Sequence, residues 1–239
     1  MKMQSCTILK LSQVSLLMGS SLLVSMNAQA GRPMVTDDAG ITEHRHCQLE
    51  SWYQRGRSSD EQWALGACNF TGNLELTLGW TRERQRQGGL SENLAVMQFK
   101  TVLRDFEEHD WGVALAIGTE VNRKAQFNNA GYYALLPVTW SVNDGQQLIH
   151  FNLGLAHDAE SHENDGLWGL GLEHALTSRS SLFVESFGQF DEDPLYQLGA
   201  AYWLVPQRVQ LDVSYGDRWV NRDRDRFFSI GFVWHSTRF

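Results

Sequence analysis

From residue 44 to residue 239 the chain repeats one unit about twelve times: a run of roughly ten residues, apolar at every second position, then a break. The breaks alternate in kind. Phe70-Thr71-Gly72-Asn73, Asn143-Asp144-Gly145, Thr177-Ser178-Arg179 and Pro206-Gln207-Arg208 are tight, whereas Gln85 to Ser91, Asn122 to Asn129, Asp158 to Asp165 and Asp217 to Asp225 are longer and charged. Short turns on one side and longer polar loops on the other are the pattern of an all-β, transmembrane, antiparallel up-and-down β-barrel in an outer membrane. The expected strands are 44–56, 60–70, 73–85, 92–105, 109–122, 130–142, 146–157, 166–176, 180–190, 194–205, 208–217 and 226–239. An even number places both ends of the barrel domain on the periplasmic side and the longer loops outside.

The period-2 pattern also assigns faces. In the run from Trp111 to Val121 the odd positions are mostly bulky and apolar, while Gly112, Ala114, Ala116 and Gly118 are small and lead to Glu120. Leu74, Leu76, Leu78 and Trp80 similarly oppose Glu75, Thr77 and Gly79. In a barrel the bulky face meets lipid and the small or polar face lines the lumen. A mean hydropathy of -0.34 is compatible with this, because a barrel strand crosses the bilayer with only about 9–11 alternating residues. The net charge of -8 leaves no basic footprint, so nucleic acid is excluded as an expected partner.

Residues 1–30 read as a secretory signal peptide: Lys2 and Lys10 are basic, Val14 to Val24 is largely apolar, and Ala28-Gln29-Ala30 precedes Gly31. Cys6 leaves with that segment. Cys47 and Cys68 remain, symmetric about Arg57-Ser58, so a hairpin closing there sets them opposite each other and a disulfide near the periplasmic end is expected. Residues 31–43 form a periplasmic N-terminal segment ahead of the barrel domain, 44–239. Two readings of it stay open: a disordered leader, or a segment folded into the barrel mouth with Asp37 and Asp38 meeting basic lumen groups.

Tryptophan placement suggests two interfacial girdles. Trp63, Trp80, Trp168 and Trp219 fall towards the outer end, and Trp111, Trp140, Trp203 and Trp234 towards the other. The chain closes on Phe239, similar to the signal read by the outer-membrane assembly machinery, which is therefore an expected partner. Phe228, Ile230, Phe232 and Trp234 share one phase and Phe239 the other, so either a bulge near His235-Ser236-Thr237 shifts the register, the favoured reading, or the terminal Phe does not face lipid.

Arg32-Pro33-Met34-Val35-Thr36-Asp37-Asp38-Ala39-Gly40, followed by the amphipathic run from Cys47 to Tyr53, resembles a transporter-like family of bacterial outer-membrane proteins associated with the MetA pathway of phenol degradation. The Thr36-Asp37-Asp38-Ala39 stretch is the specific part; the rest matches in layout. The resemblance implies a monomeric barrel passing small compounds, with aromatic ones as a candidate class, and no catalytic residues. The Cys47/Cys68 pair is a departure from that family.

The candidate lumen-lining acids are Glu75, Glu120, Glu173, Glu185 and Asp212, with Lys100 and Arg55 as possible basic companions. In a narrow wet lumen such groups set ion preference; alternatively they pair internally and fill the barrel. Near the outer rim, Arg82, Arg84, Arg86, Arg218, Arg222, Arg224 and Arg226 suit lipopolysaccharide phosphates, or pair with neighbouring acids. A lipid-modifying enzyme is the weakest reading. His157, Ser161, His162 and Glu163 share a loop and His235 adjoins Ser236, but no Gly-x-Ser-x-Gly elbow is present. His44 with His46, and His157 with His162, are the only metal-like pairs, and neither a metal nor a cofactor is expected. The expectation is a narrow channel for passive uptake of small solutes, with a non-conducting structural or binding barrel as the alternative.

Overall fold

The structure is a computed structural model that describes residues 33–86, 88–89, 91–106, 109–122, 130–158, 162–220 and 225–239. Residues 1–30, expected from the sequence to be a signal peptide, and Gly31, Arg32, Ser161, Arg222 and Arg224 lie outside the described residues. Twelve strands follow in order: β1 (Cys47–Gly56), β2 (Ser59–Asn69), β3 (Glu75–Gln85), β4 (Ser91–Arg104), β5 (Trp111–Asn122), β6 (Ala130–Val142), β7 (Gln147–His157), β8 (Asn164–Thr177), β9 (Ser180–Gln189), β10 (Leu195–Val205), β11 (Val209–Arg218) and β12 (Phe227–His235). Each pairs antiparallel with its sequence neighbours, and β1 pairs with β12, so the sheet closes into a barrel. All twelve expected strands are present, with boundaries within four residues of those read from the period.

Closure leaves no open sheet edge, and the alternation sorts side chains across the wall. In β5, Gly112, Ala114, Ala116 and Gly118 are buried towards the lumen, while Trp111 and Ile117 are exposed on the outside. The inward face elsewhere is mostly polar, including Thr77, Lys100, Asn152, Ser181, Gln197 and Ser214. Apolar outside and polar inside inverts a soluble core, and is what lipid on one side and water on the other demand. Pro137 occupies an inward position of β6, where no partner pairs are formed between Val113↔Val138 and Ala116↔Leu135. Its missing N–H accounts for an interruption of the ladder there.

The two ends differ. At the turn end, where β1 begins and β12 finishes, Asn143, Asp144 and Gly145 all adopt positive φ (54°, 54° and 81°) in a tight reversal. Two connections depart from the short-and-long alternation. Arg57-Ser58 is a two-residue link at the loop end, and residues 105–110 make a longer link at the turn end. The second has a packing reason. Phe106 folds under the barrel mouth against Ala39, Ala114 and Leu148, and a Cβ at Gly112 would lie 2.8 Å from that of Phe106.

Cys47 and Cys68 are register partners and form a disulfide, with Cα atoms 4.1 Å apart, at the turn end of the first hairpin. Beyond β12, Ser236 N–H donates to Cys47 O (2.8 Å) and Phe239 N–H to Arg45 O (3.0 Å). Three residues on one strand thus span two on the other, the offset of a bulge. Phe239 ends up exposed, with its ring centroid 5.6 Å from that of Phe70.

The tryptophan expectation needs correction. Trp80, Trp111, Trp140, Trp168, Trp219 and Trp234 fit the outer surface near the barrel ends, but Trp63 and Trp203 do not. Trp63 is paired with Trp52 on the phase of buried Glu50 and Asn69, and Trp203 with buried Gln210, so these three rings face the lumen. Arg55 is also displaced from its expected place: it is exposed, on the phase of Leu49 and Tyr53.

Candidate functional site

Residues 33–42 run down the inside of the barrel as an irregular, bent segment, so of the two readings of this segment the structure has the folded one. A segment inside a barrel cannot use the sheet's own backbone groups, which are already paired. Inward side chains replace them. The Glu185 carboxylate on β9 accepts the Val35 and Thr36 N–H groups, at 2.8 and 2.7 Å. The Asn152 amide on β7 accepts from Asp37 N–H and donates to Asp37 O, both at 2.7 Å. Thr139 Oγ1 on β6 accepts from Ala39 N–H (2.8 Å), Glu75 Oε2 on β3 accepts from Thr42 N–H (2.7 Å) and from its hydroxyl (2.5 Å), and Gln197 Nε2 on β10 donates to Pro33 O (2.9 Å).

One charge interaction fixes the middle of the segment. Lys100 on β4, 1% exposed, has its Nζ 2.8 Å from Asp37 Oδ1 and 3.5 Å from Asp38 Oδ1. A buried ammonium requires such partners, because unpaired it costs several kcal/mol of lost hydration. Asp38 also accepts Gly40 N–H at 2.7 Å, which turns the chain towards the turn end. On the opposite wall β8 offers no side chain. Gly169 and Gly171 leave a trough, and a Cβ at Gly169 would sit 2.7 Å from Thr36 Oγ1.

The segment divides the lumen. On the loop-end side lies a cavity of about 1040 Å³ bordered by Pro33 to Asp37 and reaching the exposed Arg57 and Ser58. On the turn-end side a smaller cavity of about 370 Å³ is bordered by Ala39 to His44, Asn69 and Phe106. Among the described residues, side chains around the larger cavity carry nine carboxylates against three fixed cations, Arg57, Lys100 and Arg218. Arg218 is in turn held by Asp225 and by Glu192 Oε2 at 3.2 Å. The acid excess around the cavity therefore exceeds what these pairs neutralise.

The five acids singled out from the sequence all fall on inward positions but do not form one cluster. Glu75 and Glu185, at 3% and 2% exposure, are spent on the internal segment. Glu120 lines the large cavity near Tyr133, whose hydroxyl donates to Gln98 Oε1 at 2.8 Å above Gly118. Glu173 shares the inward face of the β8–β9 pair with Ser181, and Asp212 faces Gly231 across the β11–β12 pair, where a Cβ would meet its carboxylate. Period-2 reading missed the role of Asn152, Thr139 and Gln197. Their polarity on a barrel-strand phase was visible, but the segment they hold is distant in sequence.

The remaining candidates are dispersed. His44 and His46 precede β1 in a turn, not on a strand face, and His46 Nδ1 lies 3.6 Å from Glu43. Ser236 Oγ accepts Cys47 N–H at 2.8 Å, while the His235 ring packs on Trp203 at 5.6 Å. Among the rim arginines, Arg86 pairs with Asp60 at 2.8 Å, and Arg82 and Arg84 are exposed.

A protein-family model described as uncharacterised conserved protein UCP029691 matches residues 19–233. No curated protein matches by sequence. Solved structures do match in fold. A KdgM porin in complex with disordered oligogalacturonate superposes with a TM-score of 0.62 at 10% identity, over 78% of this chain and 98% of that one. A NanC porin gives 0.59 at 11% identity (79% and 98%), and the outer membrane protein Omp33 of Acinetobacter baumannii gives 0.53 at 9% (82% and 98%). At these identities the likeness is one of fold.

Proposed function

The chain belongs to the uncharacterised conserved family UCP029691, whose description names no activity, and we propose that it is a non-enzymatic outer-membrane barrel for passive passage of small solutes, cations ahead of anions. The observation that carries this reading is the acid-rich cavity of about 1040 Å³ inside a closed barrel of porin-like fold. Carboxylates around a low-dielectric passage raise the local concentration of cations and repel anions. KdgM is described with oligogalacturonate, a polyanion, and the lining here opposes a cargo of that charge. The resemblance carried by Thr36-Asp37-Asp38-Ala39 makes aromatic compounds a cargo class within the same proposal.

Export by the N-terminal signal, outer-membrane location, a monomeric state, lipopolysaccharide contact through the rim arginines and recognition of Phe239 by the assembly machinery complete this reading. In it, passage requires residues 33–42 to leave the lumen, since they stand between the two cavities. The same segment favours a second reading, a non-conducting barrel that stays filled.

Planar-bilayer recordings in a salt gradient separate the two. The native barrel is compared with one lacking residues 33–41 and carrying Lys100→Met, which spares the barrel an unpaired buried ammonium. The expected result is cation-selective steps, larger in the deletion variant, whose selectivity falls in Glu120→Gln. If both barrels migrate as folded, heat-modifiable species and neither conducts, the channel reading fails and the filled barrel replaces it.

A further inference from the structure

The wide part of the lumen holds a feature that passive conduction does not require. Trp52 of β1 and Trp63 of β2 are direct register partners, and both turn inward. Their ring centroids are 5.0 Å apart and their planes 4° from parallel, so they form one stacked aromatic wall on the large cavity. Most of the other indoles sit on the outside of the barrel, where a membrane would hold them. A pair placed in a wet vestibule instead carries apolar area that a solute can cover.

The polar edge of this wall is already engaged. Trp63 Nε1–H donates to Glu61 Oε2 at 3.0 Å, and Gln54 Nε2 donates to Glu61 Oε1 at 3.3 Å. With its N–H occupied and one face against Trp52, Trp63 has its other face as the π surface a solute can cover. A carboxylate accepting the N–H also polarises the ring, making that face more attractive to positive charge. Glu61 therefore does two things: it orients the indole and supplies a counter-charge beside it. Glu50 lies on the same inward face of β1, two positions from Trp52 towards the turn end.

We infer that this wall is a binding site for organic cations, an aryl or quaternary ammonium seated against Trp52 and Trp63 with Glu61 as its counter-ion. This names a solute class for the passage proposed above and rests on that reading. A neutral aromatic compound would gain the stacking without the charge, and an anion would meet the acid excess that the described residues place around the cavity. The exposed Arg57-Ser58 turn borders the same cavity, so the site is reached from the loop end.

Titration calorimetry on the refolded full barrel in detergent tests the assignment, with benzyltrimethylammonium, benzyl alcohol and benzenesulfonate as probes. The ammonium compound binds saturably, and the other two bind at least tenfold more weakly or not at all. Trp63→Leu and Glu61→Gln each weaken ammonium binding by about tenfold, the scale of a partly desolvated cation–π contact or ion pair. Trp63→Phe, which keeps a π face, retains most of the affinity. Folding of each variant is checked by heat-modifiable migration, and Glu61→Gln serves if Trp63→Leu does not fold. The inference is overturned by absent ammonium binding, by equal binding of any other probe, or by undiminished binding in folded Trp63→Leu or Glu61→Gln. A barrel that conducts but does not bind the ammonium leaves the passage standing and removes the site; one that binds and stays silent does the reverse.

Discussion

Lys100 presents the sharpest energetic problem of any single residue in the barrel. Its ammonium is fully buried, with Asp37 at 2.8 Å and Asp38 at 3.5 Å. Such an arrangement stabilises little compared with an apolar filling of the same space, yet removing one partner costs about 3–5 kcal/mol because the other is stranded. The pair therefore acts as an address: it specifies which two residues of a mobile-length segment stop beside β4. Glu185 works the same way on two successive N–H groups. Lys100→Met is expected to leave the strands intact while loosening residues 33–42. Hydrogen exchange read by mass spectrometry checks this, with exchange of that segment at least about tenfold faster and β-strand peptides unchanged. Unchanged protection of residues 33–42 would mean that the backbone clamps alone hold it.

At the scale of the element, strands were the easiest features to read, because a period of two is a local property and each strand displays it within ten or so residues. The faces were legible where contrast is high, as with Ala114 and Ala116 against Leu115 and Ile117 in β5. They were ambiguous where it is low. Trp52-Tyr53 is bulky on both phases, in Trp63-Ala64-Leu65 the bulky phase is the inward one, and only the parity shared by Trp63 with Glu61 and Asn69 marks that ring as inward. The internal segment was legible only as an alternative, since Asp37 and Asp38 signal a need for cations but do not say that Lys100 will meet them. The length of the link at 105–110 has no signal in the strand rhythm, because nothing in sequence connects Phe106 with Ala39. The trough on β8 gives an element-level test. In Gly169→Leu, the new Cβ falls 2.7 Å from Thr36 Oγ1 and 3.2 Å from its Cγ2. Its strand is otherwise well suited to a branched residue. The segment should be displaced without loss of the barrel, giving larger single-channel steps than the native protein; equal steps from a folded variant would separate segment position from conduction.

For the whole molecule, stability depends on closing the sheet, since an open β1 or β12 would expose a row of unpaired backbone groups. The closing seam is β1 on β12, and its last bonds gather at one place, Ser236 N–H to Cys47 O and Phe239 N–H to Arg45 O, while His235 N–H to Arg208 O holds β12 on its β11 side at the same level. The Cys47–Cys68 bridge sits at that same end and ties β1 to β2, so the strand that must receive β12 is already held on its other side. With the cysteines 21 positions apart, the chain-entropy estimate for the unfolded state is a stabilisation of about 3 kcal/mol. Replacing both cysteines by serine should therefore lower the denaturant midpoint of the refolded barrel by about that free energy, with little change in the slope of the transition. The loss should also be kinetic. Without the bridge the first hairpin can fray from the turn end, and the seam opens with it, so unfolding of the double variant should be faster while the heat-modifiable, closed species still forms. Identical midpoints and unfolding rates would show that the seam is held by strand pairing and by the internal segment alone.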